Sequence, residues 1–213
     1  MSKIIVSLET KESLDIIPYL GKYIDGVKIN HLLWNELDFD VEEGKELFVD
    51  FKLWDTPNTV KTVVESIIKK GGTMTTISTF NNEKVFDELE QYKDDIKLLA
   101  VTYLTSWNRD EQYQICREMP DFMWRRHLSR VKGFYGVVCS AQDIGMLSGA
   151  DKSLKRVCPG ITYGNNNSGQ VRTTTPKEAQ DLGADYIVIG RAITESENPL
   201  ETLKQIRNSP ITQ

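Results

Sequence analysis

The sequence predicts a (β/α)8 barrel, and three observations carry that reading. Eight short β-branched or apolar runs recur along the chain, segments with helical apolar spacing separate them, and no GxGxxG turn follows the first run, as an open dinucleotide-binding sheet would require. Strand alternating with helix implies parallel pairing and right-handed crossovers, and eight such units in about 200 residues suit a compact closed barrel. An open doubly wound sheet is the alternative. The whole chain, residues 1–213, is expected to form one domain.

The runs are, in order, KIIVSL (3–8), GVKIN (26–30), LFVDFK (47–52), MTTIST (74–79), IKLLAVTYL (96–104), FYGVVCS (134–140), LKRVCPGI (154–161) and DYIVIGR (185–191). Between the third and fourth, VKTVVESIIKK (60–70) places Val60, Val63, Val64, Ile67 and Ile68 on one helical stripe. Pro57 is expected at or near the first position of that helix, with Asn58 and Thr59 in its first turn. No short-period repeat, low-complexity tract or linker interrupts the pattern, and the polar stretch YGNNNSGQ (163–170) reads as a loop.

Composition narrows the function. An apolar content of 39% supports a sizeable core, and 26 basic against 31 acidic residues give a net charge of −5. Without a lysine-arginine block, nucleic acid is not an expected partner, and any small anionic substrate must be held by a local cluster of donors. Cys116, Cys139 and Cys158 are odd in number and lack CxxC spacing, and no signal-like segment precedes the first run, so a reduced, cytoplasmic protein is expected. No window reaches the apolar length of a membrane span. His31 and His127 are too few to build a histidine metal site, which leaves carboxylates and lysines as the expected catalytic groups.

Barrel active sites gather where strands end, and the third run ends in charge: FVDFKLWDTPNTV, Phe48 to Val60. With a side-chain period of two, Asp50 and Lys52 face one side of the strand while Phe51 and Leu53 face the other. Asp55 lies past the strand end. A structural ion pair at the rim, with Asp55 a solvated charge before a helix, is the plain reading of DxKxxD. Burying such a pair costs about several kcal/mol per ion, so its place in a barrel mouth points to some other benefit. Lys28, near the end of the second run, would set Lys28, Asp50 and Lys52 in alternating charge across one pocket floor if strands two and three are neighbours. Such an array favours a step in which negative charge moves or a proton reaches carbon.

At DFKLWDTPNTV the chain resembles the orotidine 5′-monophosphate decarboxylase family. Further segments resemble the family in the same order: IIVSLE, GVKIN, AVTYLTS (100–106), VVCSAQD (137–143), VCPGI (157–161), GQVRTTTPKEAQDLGADYIVIGRAI (169–193) and ENPLE (197–201). The resemblance implies decarboxylation of orotidine 5′-monophosphate to uridine 5′-monophosphate, without metal or organic cofactor, by a homodimer whose active sites lie at the subunit interface. It implies that Lys52 donates the proton to C6 of the pyrimidine, Asp50 lies against the departing carboxylate, and Lys28 completes the array and contacts the ribose. Asp55 would enter from the partner subunit, with Thr59 reaching across towards the ribose. Ser106 resembles the residue bonded to the pyrimidine edge, although as a bare residue it could equally cap the next segment. Gly190 and Arg191 resemble the phosphate site, and Gln170 a residue of the loop over the phosphate.

Three positions depart from the family pattern. Glu9 stands where a ribose-binding Asp is usual, and its extra methylene moves the carboxylate by about 1.5 Å. Ser78 replaces a common His, and Thr162 an Arg after PGI, which leaves Arg191 a larger share of the phosphate. The related barrels that use DxKxxD with Mg²⁺ as sugar-phosphate decarboxylases or aldolases are the alternative, followed by a nucleotide-binding barrel that has lost catalysis.

Overall fold

The computed structural model describes residues 1–35, 42–117, 120–149, 153–164 and 172–208. Strands β1 (Lys3–Leu8), β2 (Gly26–Ile29), β3 (Glu46–Leu53), β4 (Met74–Ser78), β5 (Lys97–Val101), β6 (Gly136–Val138), β7 (Lys155–Cys158) and β8 (Tyr186–Ile189) pair in sequence order. The sheet closes where β1 pairs in parallel with β8, Lys3 opposite Tyr186 and Val6 opposite Ile189. That closure gives the expected (β/α)8 barrel and rules out the open sheet. Each of the eight runs holds one strand, but the fifth run stops pairing at Val101, because its neighbour β6 is only three residues long.

Around the strands lie α1 (Ile17–Leu20), α2 (His31–Trp34), α3 (Pro57–Lys69), α4 (Glu83–Leu89), α5 (Arg109–Cys116), α6 (Pro120–Leu128), α7 (Pro176–Asp181), α8 (Arg191–Thr194) and α9 (Pro199–Asn208). A 3-10 stretch, Ala141–Gly149, occupies the crossover between β6 and β7. Helix α3 begins as its sequence requires: extended Thr56 precedes Pro57, whose missing N–H costs nothing in the first turn. Val60, Val64 and Ile67 are buried on its inner face, with Val63 and Ile68 packed at the edge of the same core. None of the described helices is long and apolar enough to cross a membrane.

Strand alternation divides the apolar residues into two cores. Ile5, Phe48, Met74, Leu99, Val101, Val138, Val157, Tyr186 and Val188 fill the barrel, while Ile4, Val6, Leu8, Leu47, Val49 and Ile77 face the helices. Continuing the inward series towards the strand ends gives Ser7 after Ile5, Asp50 after Phe48 and Thr76 after Met74, so the barrel filling turns from apolar to polar at its C-terminal mouth.

The opposite end is sealed by an ionic and aromatic cluster. Glu46 accepts from the Thr73 hydroxyl at 2.7 Å and pairs with Lys97, and the hydroxyls of Tyr135 and Tyr186 meet at 2.7 Å. Burial and the Tyr135 bond push the Tyr186 phenol well above its usual range. Gly26 stands opposite Glu46 in the register, where a Cβ would fall 2.4 Å from the Glu46 carbonyl oxygen. That atom is backbone and cannot rotate away. Gly26→Ala is therefore expected to cost about 1–3 kcal/mol in urea unfolding, with the denaturant slope unchanged.

Candidate active site

A cavity of about 310 Å³ opens among the strand ends and the loops that follow them. Its lining includes Glu9, Lys28, Asp50, Lys52, Ser106, Gly190 and Arg191. Seven of the positions singled out in the sequence thus converge on one space, contributed by the ends of β1, β2, β3 and β8 and the loop after β5. Asp55 and Thr59 do not line it; both are exposed at the start of α3. Gln170 lies outside the described residues.

The floor carries the charge array. β2 pairs with β3, and the Asp50 Oδ2 atom lies 3.4 Å from Lys28 Nζ and 2.9 Å from Lys52 Nζ. The Asp50 and Lys28 side chains are each only 14% exposed, so water does little to screen their contact, whereas Lys52 is more open to solvent. Burial alone would raise the Asp50 carboxyl, but the two ammonium groups, with bonds from Lys52 and Thr76, outweigh it and hold the group below the ordinary aspartate value of 3.8. Asp50 is a fixed anion between two cations. Phe51 and Leu53 pack outward against the helical core, so the alternation expected for this strand holds.

The backbone reaches this geometry through a break in the ladder. Val49 stands opposite Thr75, but the next aligned pair is Leu53 and Ile77, which leaves Asp50, Phe51 and Lys52 against Thr76 alone. Lys52 takes φ 51°, a region costly for a side chain with a Cβ.

The neighbouring loop is braced separately. Asn81, 2% exposed, donates its amide to the carbonyls of Leu53 at 2.8 Å and Ser78 at 2.9 Å, and its Oδ1 accepts the Asp55 N–H at 3.2 Å. Arg130 donates to the Asn81 carbonyl at 2.9 Å, and buried His127 bonds Thr79, so α6 and the turn after it support the end of β4. His127 is thereby a structural residue. Ser78 serves the same turn, accepting the Phe80 N–H at 3.3 Å.

Beyond β5, Ser106 faces the cavity and is not a helix cap; Asn108 caps α5, in a reciprocal arrangement with Glu111. Behind the loop, the Tyr103 hydroxyl donates to Asp143 at 3.0 Å, accepts from Trp124 at 3.0 Å, and Asp143 also pairs with Arg172. Burial and Asp143 push the Tyr103 phenol far up, so it remains a hydrogen-bond donor. Gly190 and Arg191 open α8 and line the cavity, as do Gly160 and Ile161. Thr162 does not line the cavity; its N–H donates to the Thr174 carbonyl at 3.0 Å, and Thr174 N–H returns a bond to the Gly160 carbonyl at 3.1 Å.

Thr76, Asn81, Tyr103 and Asp143 were not singled out in the sequence. A signal existed for Thr76, since a Thr two residues after an inward-facing Met must also face the barrel mouth. Apart from the Asn81 bond to Ser78, Asn81 and Asp143 act through side-chain partners at least 26 and 29 residues away, which no local pattern shows.

A closed parallel barrel whose strand ends converge on one charged cavity is the architecture of (β/α)8 enzymes. The profile of the Orotidine 5′-phosphate decarboxylase / HUMPS family matches residues 2–206, and the chain belongs to that family. It is 33% identical to an orotidine 5′-phosphate decarboxylase of Dictyoglomus turgidum, covering 96% of this chain and 93% of that protein. The corresponding figures for the enzyme of Wolbachia pipientis are 35%, 98% and 99%. The crystal structure of an orotidine 5′-phosphate decarboxylase from Lactobacillus acidophilus superposes with a TM-score of 0.78 at 26% identity, over 98% of this chain and all of that one.

Because the folded Asp50 is shifted down, the stability it contributes is fully present above the unfolded value and is lost as pH falls through the folded one. A carboxyl ¹³C titration is expected to place the Asp50 midpoint below 3.8; a midpoint at or above that value would contradict the array.

Proposed function

We propose that this chain decarboxylates orotidine 5′-monophosphate to uridine 5′-monophosphate and CO₂, a step of pyrimidine biosynthesis, as a cytoplasmic, single-domain protein acting without metal or organic cofactor. The observation that carries the proposal is the Lys28–Asp50–Lys52 array in the cavity of a chain of this family. In the reaction the bond from C6 to the carboxylate breaks, and its electron pair stays on C6. Little ring delocalisation is available to that pair, so the site must stabilise charge at C6 more than it stabilises the substrate. The Lys52 ammonium does so and transfers a proton to C6; the amine regains its proton from water. Asp50 sits where the substrate carboxylate would be repelled, an interaction relieved as CO₂ leaves.

Glu9 and Lys28 take the ribose, Ser106 the pyrimidine edge, and Gly190 N–H with the Arg191 guanidinium the phosphate, which Gln170 would also contact by its resemblance to the family. Binding energy at the phosphate, remote from C6, supports closure of the site. Asp55 and Thr59, exposed and outside the cavity of their own chain, suit a homodimer in which they complete the partner's site.

Purified protein is expected to consume orotidine 5′-monophosphate in EDTA, followed as loss of orotate absorbance. An absence of turnover would refute the reading, and activity lost only on chelation would move the chain to the Mg²⁺-dependent sugar-phosphate branch. Lys52→Ala should abolish turnover while leaving the thermal transition nearly unchanged. A mixed dimer of Lys52→Ala and Asp55→Ala chains should regain one competent site of its two, whereas no recovery would show that the sites are not shared.

A further inference from the structure

We propose that Thr76 is a positioning residue for the reacting pair, its hydroxyl fixing both the Asp50 carboxylate and the backbone turn from which Lys52 projects. The inference rests on the reading of Lys52 as proton donor. Thr76 is fully buried on β4, directly beside the break in the β3 ladder. Its hydroxyl donates to Asp50 Oδ1 at 2.9 Å, and its oxygen accepts the Lys52 backbone N–H at 2.8 Å.

A hydroxyl has one proton to give, so with that proton on Asp50 its lone pairs are what meets the amide. Three residues of β3 bulge against this single residue, and the ladder offers Lys52 N–H no backbone acceptor in register. Thr76 supplies the missing acceptor at the residue whose φ is 51°. It also holds one carboxylate oxygen, so that the other, Oδ2, is left to face both ammonium groups. One side chain therefore sets the anion's rotamer and the lysine's point of departure. Valine has nearly the same shape but would leave a buried N–H without an acceptor and Oδ1 without a donor.

The test compares Thr76→Val and Thr76→Ser in the full chain. Thr76→Val is expected to lower kcat for orotidine 5′-monophosphate by about 10- to 100-fold with KM within about twofold, and Thr76→Ser to recover most of the loss. The Asp50 carboxyl ¹³C midpoint should move up in Thr76→Val, because a bond favouring the anion is gone, and return in Thr76→Ser. If Thr76→Val does not fold, Thr76→Ala against Thr76→Ser carries the same contrast. Wild-type kcat in the valine variant, an unmoved Asp50 midpoint, or a serine variant as impaired as valine each overturns the proposal. A wild-type protein with no turnover would remove the decarboxylase reading, and the Asp50 midpoint would still decide for or against Thr76.

Discussion

Two ammonium groups within about 3.5 Å of one buried carboxylate oxygen are the constraint around which the rest of the molecule is arranged. Alone, such ions would cost about several kcal/mol each to desolvate, and their attraction offsets this only where geometry is held tightly. The barrel supplies that rigidity. β2 and β3 are fixed in register along four residue pairs, and the inward apolar residues below Asp50 leave no room for the strands to slide. The lower seal of Glu46, Lys97 and the two tyrosines then closes the other end, so that polar groups occupy both ends and apolar side chains the middle.

Rigidity of the floor contrasts with the construction of the rim. Lys28, Asp50 and Lys52 come from strands, whereas Ser106, Gly190 and Arg191 come from the segments after strands. Several segments that follow strands have a brace of their own: Asn81 for the β3 end, the Tyr103–Asp143–Arg172 set for the β5 loop, and the Thr162–Thr174–Gly160 bonds for the segment after β7. Buried polar sets of this kind are stable only when every member is bonded, which ties loop position to the integrity of the outer core.

How much of this could be read from the sequence depends on the distance over which each feature is determined. Strands were legible because β-branched runs and helical stripes are local, and Asp50 with Lys52 because a period of two is local. The route to their contact was not legible, since β3 bulges and Lys52 adopts a positive φ through pairing with β4. Strand ends were overextended by two or three residues for the fifth to eighth runs, because where a strand stops depends on the length of its neighbours. Asn81 and Asp143 were not marked by local pattern, because the bonds that brace the loops run mainly to distant partners.

Charge counting bears on the proposed homodimer. Lys28, Lys52 and Arg191 against Asp50 and Glu9 leave the lining of one chain with an excess of one positive charge. On the proposed reading the substrate brings a phosphate and a carboxylate, more negative charge than that excess, and the carboxylate leaves as neutral CO₂. A further anion from a neighbouring Asp55 would oppose the carboxylated substrate more than the product, and would help keep both ammonium groups in place after CO₂ departs. The Asp55 backbone is anchored by Asn81 and its carboxylate bonds only the adjacent Thr56 N–H among the described residues, at 2.6 Å, which leaves its outer oxygen available beyond the edge of its own chain. A group tied down at its backbone and presented outward is suited to serving a second copy of the barrel.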